Sequence, residues 1–178
     1  NPAEAYWHAW NHMCNARDAG AKLVCVDPLY TSTAAHSDMW VPVRVGTDTA
    51  LMLAMVNHIV ENGWENVDYL KMKSVAPLLI KEDGSYVRLS DVGQEPDLVP
   101  DSATRKEVAT DSPVVWDNES KSFVSHRAAF DPELHGEYEV NGVKVRTVWD
   151  AALGNISDIT VDYASDECGL PKEQIEEM

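Results

Sequence analysis

Two short groups of residues in this 178-residue chain have the chemistry to hold a ligand: Asp27-Pro28 and Gly46-Thr47-Asp48. A carboxylate accepts hydrogen bonds from ribose hydroxyls or from an amino and imino pair such as guanine presents. Gly46 lets a ligand approach the backbone closely, and a helix starting at Asp48 would turn its first amides toward an anionic group. The same residues also suit plainer duties, with Asp48 as a helix N-cap and Asp27-Pro28 as a turn. Glu4, His8 and His12 fall at i, i+4 and i+8, a metal-like order on one helix face that a polar, solvated face produces equally well. Cys14, Cys25 and Cys168 are far apart and show no C-x-x-C spacing, so zinc and iron–sulfur readings fail, and Cys14 and Cys25 read as small core residues. His36-Ser37-Asp38 and Ser125-His126 are neighbours in sequence only; a catalytic triad is assembled through the fold, and no G-x-S-x-G elbow is present. Neither G-x-G-x-x-G nor a Walker sequence follows any apolar run.

The elements that must position the two groups are legible around them. Lys22-Leu-Val-Cys-Val26 reads as a strand buried on both faces, stopping at Asp27-Pro28. A second run, Trp40-Val-Pro-Val-Arg-Val45, stops at Gly46-Thr-Asp48, and the segment between the two is long enough for one short crossover helix. From Asp48 the period turns helical, with Ala50, Leu51, Leu53, Ala54, Met55, Val56, Ile59 and Val60 apolar almost all round, which predicts a largely covered helix ending at Gly63. This β-crossover-β-loop-α order is the unit of a parallel sheet, whose ligands sit outside the carboxyl ends of the strands. Those ends are the two groups above.

Elsewhere, Asn1 and Pro2 open a helix to about Asp18, ended by Gly20, with Tyr6, Trp10, Met13 and Cys14 as its buried stripe. A short helix is expected over Asn66 to Lys73, a strand over Pro77 to Ile80, and a turn at Glu82-Asp-Gly84 into Tyr86 to Leu89. Residues 91–111 read as a surface excursion without periodicity, followed by a hairpin of Val114 to Trp116 with Ser122 to Val124. Asn141-Gly142 within Tyr138 to Val145 suits a type I′ hairpin. After Thr160 come two short helices broken at Cys168-Gly-Leu-Pro171. The expected class is therefore α/β: a Rossmann-like parallel sheet with flanking helices, β-hairpin excursions and a small C-terminal helical part. The expected division is a cofactor-binding core over 1–90, an acidic excursion over 91–136, and a hairpin with C-terminal helices over 137–178.

The formal charge of −16 is uneven, with 10 acidic against 7 basic residues in 1–90 and 20 against 7 in 91–178. Such acidity argues against nucleic acid as a partner. The final helical pair superficially copies a helix-turn-helix, yet its second helix carries Lys172 against Glu173, Glu176 and Glu177, the wrong sign for reading DNA. No initiating Met, signal peptide or membrane-length apolar run is present, which suggests a segment of a longer protein without direct membrane insertion.

The run Asp27-Pro-Leu-Tyr-Thr-Ser-Thr-Ala-Ala-His-Ser-Asp-Met-Trp-Val-Pro-Val-Arg-Val-Gly-Thr-Asp-Thr-Ala-Leu51 resembles the molybdopterin-guanine-dinucleotide-binding region of the dimethyl sulfoxide reductase family. That family shows D-P-x-x-T-x-T-A and then S-D-x-W-x-P-x-R-x-G-T-D-x-A-L at this separation. Asn1-Pro-Ala-Glu4 resembles the end of its G-x-N-P cofactor loop, and Asp162 to Ile175 its late T-G-V-P-x-E-x-I segment. Val45 stands where the family often has Pro, and Leu29 where Arg is common, removing one possible phosphate contact.

The resemblance implies part of an oxidoreductase that carries a molybdenum or tungsten bis-pterin cofactor and moves two electrons at the metal. It assigns the guanine dinucleotide arm to Asn1, Asp27, Pro28, Tyr30, Thr31, Gly46, Thr47 and Asp48, with Asp48 as the carboxylate facing guanine. The metal ligand and an iron–sulfur cluster would lie upstream. Partners would be the remaining domains of the parent chain and an iron–sulfur electron-transfer subunit. The competing implication is a non-catalytic scaffold of an electron-transfer assembly, since relatives of the fold serve that way. Carboxylates at both strand ends favour the enzyme.

Overall fold

The computed structural model describes all residues, 1–178. In chain order the elements are α1 (Pro2–Ala5), α2 (Trp7–Asp18), β1 (Val24–Val26), α3 (Ser32–Ala35), β2 (Met39–Val41), α4 (Asp48–Glu61), α5 (Val67–Lys73), β3 (Leu79–Lys81), β4 (Asp97–Pro100), β5 (Glu107–Thr110), β6 (Val114–Asp117), β7 (Ser122–Ser125), β8 (Glu137–Val140), β9 (Val143–Thr147), α6 (Val148–Ile156), α7 (Val161–Cys168) and α8 (Lys172–Glu177). They form two compact units, one of residues 1–64 with 156–178, the other of residues 65–155.

The first unit holds the β-crossover-β-loop-α segment. β1 and β2 run parallel, with Val24, Cys25 and Val26 opposite Met39, Trp40 and Val41, and α3 lies in the crossover. Both strands are short, the second for a reason in the sequence. Pro42 has no N–H to continue the ladder, so this strand covers Met39–Val41 rather than the expected Trp40 to Val45. Val43 is still buried beyond it. The core gathers Val41, Val43, Leu51, Ala54, Ala164, Cys168, Leu170 and Ile175, so α4 packs mainly against α7 and α8.

Two expectations about helices need correction. α4 is covered on one side only: Leu51 and Ala54 are buried, while Met52, Val56 and Ile59 on successive turns are exposed. The N-terminal helix is broken at Tyr6, whose backbone leaves the helical region, and Tyr6 is 72% exposed. No residue of α2 is buried, and Trp10, Met13 and Cys14 are half-buried. The break leaves α1 tied to α3 instead of to α2's axis, through Ser32 Oγ donating to Glu4 (2.6 Å) and Ala3 N–H to Thr33 Oγ1 (3.1 Å).

Asn57 links α4 to the chain that enters α7, its Nδ2 donating to the carbonyls of Ile156 (2.6 Å) and Ile159 (2.9 Å). Asn57→Ala leaves both carbonyls without that donor, and chemical unfolding should register a loss of about 1–2 kcal/mol.

The second unit is built from antiparallel pairs. β3, β9 and β8 make a three-stranded sheet in that order, while β4 pairs with β5 and β6 with β7. Leu79, Val87, Leu89, Val114, Val140 and Val145 form its core, with Phe123 and Tyr138 packed against them. The Asn141-Gly142 hairpin forms as expected, both residues at positive φ. Residues 91–111 hold a hairpin that their weak periodicity does not announce: Asp97–Pro100 and Glu107–Thr110 pair across a turn that Asp101 organises by accepting from Thr104 N–H at 2.7 Å. The expected Rossmann-like parallel sheet is thus corrected to mixed helix and strand with one two-stranded parallel pair. Among the paired strands only β1 and β2, joined through α3, run parallel; every other pair runs antiparallel.

Candidate functional site

Register places the carboxyl ends of β1 and β2 side by side, and Asp27 N–H donates to Val41 O at 3.1 Å just past the ladder. From there Asp27 Oδ1 accepts from Leu29 N–H at 2.9 Å, an Asx turn that carries the chain around Pro28. Oδ1 is used by this turn, and Oδ2 has no protein donor. Trp40 fixes the turn from the neighbouring strand: its Nε1 donates to Asp27 O at 2.8 Å, and its ring meets Tyr30 edge-on with centroids 5.0 Å apart. Thr31 caps α3 through Oγ1, which accepts from Ala34 N–H at 3.4 Å. Asn1 joins this end, its Oδ1 accepting from Thr33 Oγ1 at 2.6 Å. Asn1, Asp27, Pro28, Tyr30 and Thr31 therefore surround one loop and the helix that follows it. The Ser32 hydroxyl holds the Glu4 carboxyl below its ordinary range, and burial, then the Asp27 charge, pushes the Cys25 thiol up, so Cys25 stays protonated beside the turn.

At the second strand end Gly46 has φ +87°, in the left-handed region, and a Cβ there would meet nothing within 4 Å. The chain needs glycine for the turn, and the space above it is open to a ligand. Thr47, not Asp48, is the N-cap of α4, but its Oγ1 donates to Arg44 O at 2.7 Å and so does not cap. No group of the chain accepts from the amides of Asp48 and Thr49 at the helix start. Asp48 itself is exposed in the first helical turn, and no donor of the chain meets its carboxylate. Beside this turn lies a cleft of about 260 Å³ lined by Gly46, Thr47 and Leu53 on one side and Ile159, Tyr163 and Glu167 on the other. An open glycine, two unpartnered helix amides and a free carboxylate are what an anionic nucleotide arm with a donor-rich base requires.

No family model matches the chain. Among curated proteins, a candidate dimethyl sulfoxide reductase catalytic chain of Halobacterium salinarum is 32% identical over 92% of this chain and 18% of its own length. The chlorate reductase alpha chain of Ideonella dechloratans is 30% identical over 89% of this chain and 17% of its length, and the respiratory nitrate reductase alpha chain of Haloferax mediterranei 34% identical over 86% and 17%. Over most of its length the chain matches part of the catalytic subunits of the dimethyl sulfoxide reductase family of molybdopterin enzymes. It spans less than a fifth of the length of these relatives.

Within the family motif, residue types alone point to the carboxylates and the glycine and give no role to Trp40 and Arg44, which the structure shows holding the two loops. Both stand in the motif, W-x-P-x-R, and that is the available signal. Glu4, His8 and His12 are not gathered: Glu4 is held by Ser32 and His8 stacks on Trp7 with centroids 4.4 Å apart. The residues gather into no cluster of three or more His, Cys, Asp or Glu side chains able to hold a metal ion. No helix is long and apolar enough to cross a membrane.

Proposed function

We propose that this chain binds the guanine dinucleotide arm of a molybdenum or tungsten bis-pterin cofactor and is part of an oxidoreductase's catalytic chain. The observation that carries the reading is the pairing of two ligand-ready loops at adjacent carboxyl ends of a parallel strand pair, each with an acidic residue and the second with free helix amides. Asp48 accepts from the guanine amino and imino groups, Gly46 and Thr47 lie against the nucleotide through their backbone, and the amides of Asp48 and Thr49 face phosphate oxygen. Asp27 Oδ2 accepts from a ribose hydroxyl, while Pro28, Tyr30, Thr31 and Asn1 shape that loop. The bound cofactor would supply a metal that exchanges two electrons; this chain's residues bind and orient it. In the longer protein, strands from elsewhere would extend the β1–β2 pair into a Rossmann-like sheet, and partners would include the remaining domains and an iron–sulfur electron-transfer subunit.

The test is anaerobic expression of the parent protein, metal analysis and release of nucleotide with acid, alongside Asp48→Ala. Molybdenum or tungsten released together with guanine nucleotide is the expected result. Losing a charge-assisted pair should lower the variant's guanine content roughly tenfold or more. A folded parent with neither metal nor guanine would favour the scaffold role instead.

A further inference from the structure

Two motif segments more than a hundred residues apart meet at one side chain, Arg44. Its Nη1 donates to Glu167 O at 2.9 Å and reaches Asp166 O at 3.5 Å, the last carbonyls of α7. Its backbone N–H donates to Cys168 O at 3.0 Å. Its own carbonyl accepts from Thr47 N–H at 3.2 Å and Thr47 Oγ1 at 2.7 Å. The Cys168 thiol closes the circuit by donating to Thr47 O at 3.5 Å.

Gly169 completes the arrangement. It ends α7 at φ +69°, a left-handed conformation that side chains resist, and a Cβ on it would sit 3.2 Å from Arg44 Nη2. A side chain at 169 would press on the guanidinium, which would have to give by a few tenths of an ångström. A cation at the carboxyl end of a helix also interacts favourably with the helix's orphan carbonyls.

We infer that Arg44 is a positioning residue for the proposed nucleotide site: it fixes the Gly46-Thr47-Asp48 turn onto the end of α7, and Gly169 is required to give it room. The inference rests on the nucleotide reading for its purpose, though the coupling of residues 44, 47 and 169 can be measured without any ligand. Thr47 turns its hydroxyl toward the backbone carbonyl of residue 44 and makes no side-chain cap on α4, and the amides of Asp48 and Thr49 are free.

The experiment measures amide hydrogen exchange by NMR on this whole chain, with Ala54 and Asn57 in the middle of α4 as internal references. In Arg44→Ala the amides of residue 44 and Thr47 should exchange at least tenfold faster while the reference amides stay within twofold. Arg44→Met keeps the alkyl stem without donors and gives the same comparison should the alanine variant fail to fold. Gly169→Ala should accelerate the same two amides, and by a smaller factor when Arg44 is already replaced, because only the backbone strain then remains. Unchanged exchange at residues 44 and 47 in a folded Arg44 variant overturns the inference, as does an equal effect of Gly169→Ala in both backgrounds. GDP is the ligand probe. It should shift the Gly46 and Asp48 resonances of the unmodified chain, and Arg44→Met should need roughly tenfold more GDP for the same shift, at an unchanged melting temperature. Absence of any GDP shift in the unmodified chain counts against the nucleotide reading alone, since exchange still decides the role of Arg44. GDP shifts of equal affinity in chain and variant overturn the positioning role.

Discussion

Asp117→Asn should destabilise the second unit by about 2–4 kcal/mol, measured by chemical unfolding at neutral pH. Asp117 stands at the end of β6, 2% exposed, and its carboxylate is a hub for backbone donors. Oδ1 accepts from Phe130 N–H at 3.0 Å and Asp131 N–H at 2.7 Å, and Oδ2 accepts from Ser120 N–H at 2.9 Å. An asparagine must place its NH2 against either Ser120 or the Phe130 and Asp131 pair, so at least one buried N–H meets another donor. The same hydrogen bonds, Asp131 N–H first and Ser120 N–H next, hold the Asp117 pKa down at about 2, against 3.8 ordinarily.

The pH dependence follows in sign. A carboxyl depressed in the folded state stays ionised there while its unfolded counterpart takes up a proton, so the unfolded state gains protons as pH falls. Asp117 contributes its full stabilisation above the unfolded value near 4 and loses it as pH drops toward about 2. Unfolding free energies measured between pH 2 and 7 should show that slope, and Asp117→Asn should flatten it. A variant as pH-sensitive as the parent would place the acid lability in other carboxylates.

What can be read in the sequence, and what cannot, divides along local against tertiary causes. The Asn141-Gly142 turn, the short helix expected over Asn66 to Lys73 and the Gly169-Leu170-Pro171 break are written in residues that act on their own neighbours, and all three form. The apolar period of α4 overstates its burial because a period reports which residues can be covered, not how much partner surface exists. Here α7 and α8 cover one side, and Met52, Val56 and Ile59 stay outside. The β4–β5 hairpin escapes a reading by pattern since its two strands carry Asp97, Pro100 and Glu107 with little alternation, and their pairing depends on the Asp101 turn between them. At the site, the carboxylates and Gly46 stand out as residue types, whereas Arg44 and Trp40 work through backbone carbonyls that only tertiary structure brings near.

That tertiary dependence makes Leu51→Ala the second large effect. Leu51 is 0% exposed in the first turns of α4, packed in the core with Val41, Val43, Ala54, Ala164, Cys168, Leu170 and Ile175. Truncation removes buried methyl groups and leaves a cavity that two short strands and three helices fill poorly, so chemical unfolding should show a loss of about 3–5 kcal/mol. Met52→Ala, one residue on and exposed, should cost about 0.5 kcal/mol or less. The contrast bears on the site because α4 begins at Asp48, and the packing of Leu51 against the β2 and α7 residues holds that first turn in place. If Leu51→Ala and Met52→Ala proved equally mild, this core would not be what anchors α4. Gly46, Thr47 and Asp48 would then have to be fixed by the Arg44 hydrogen bonds alone.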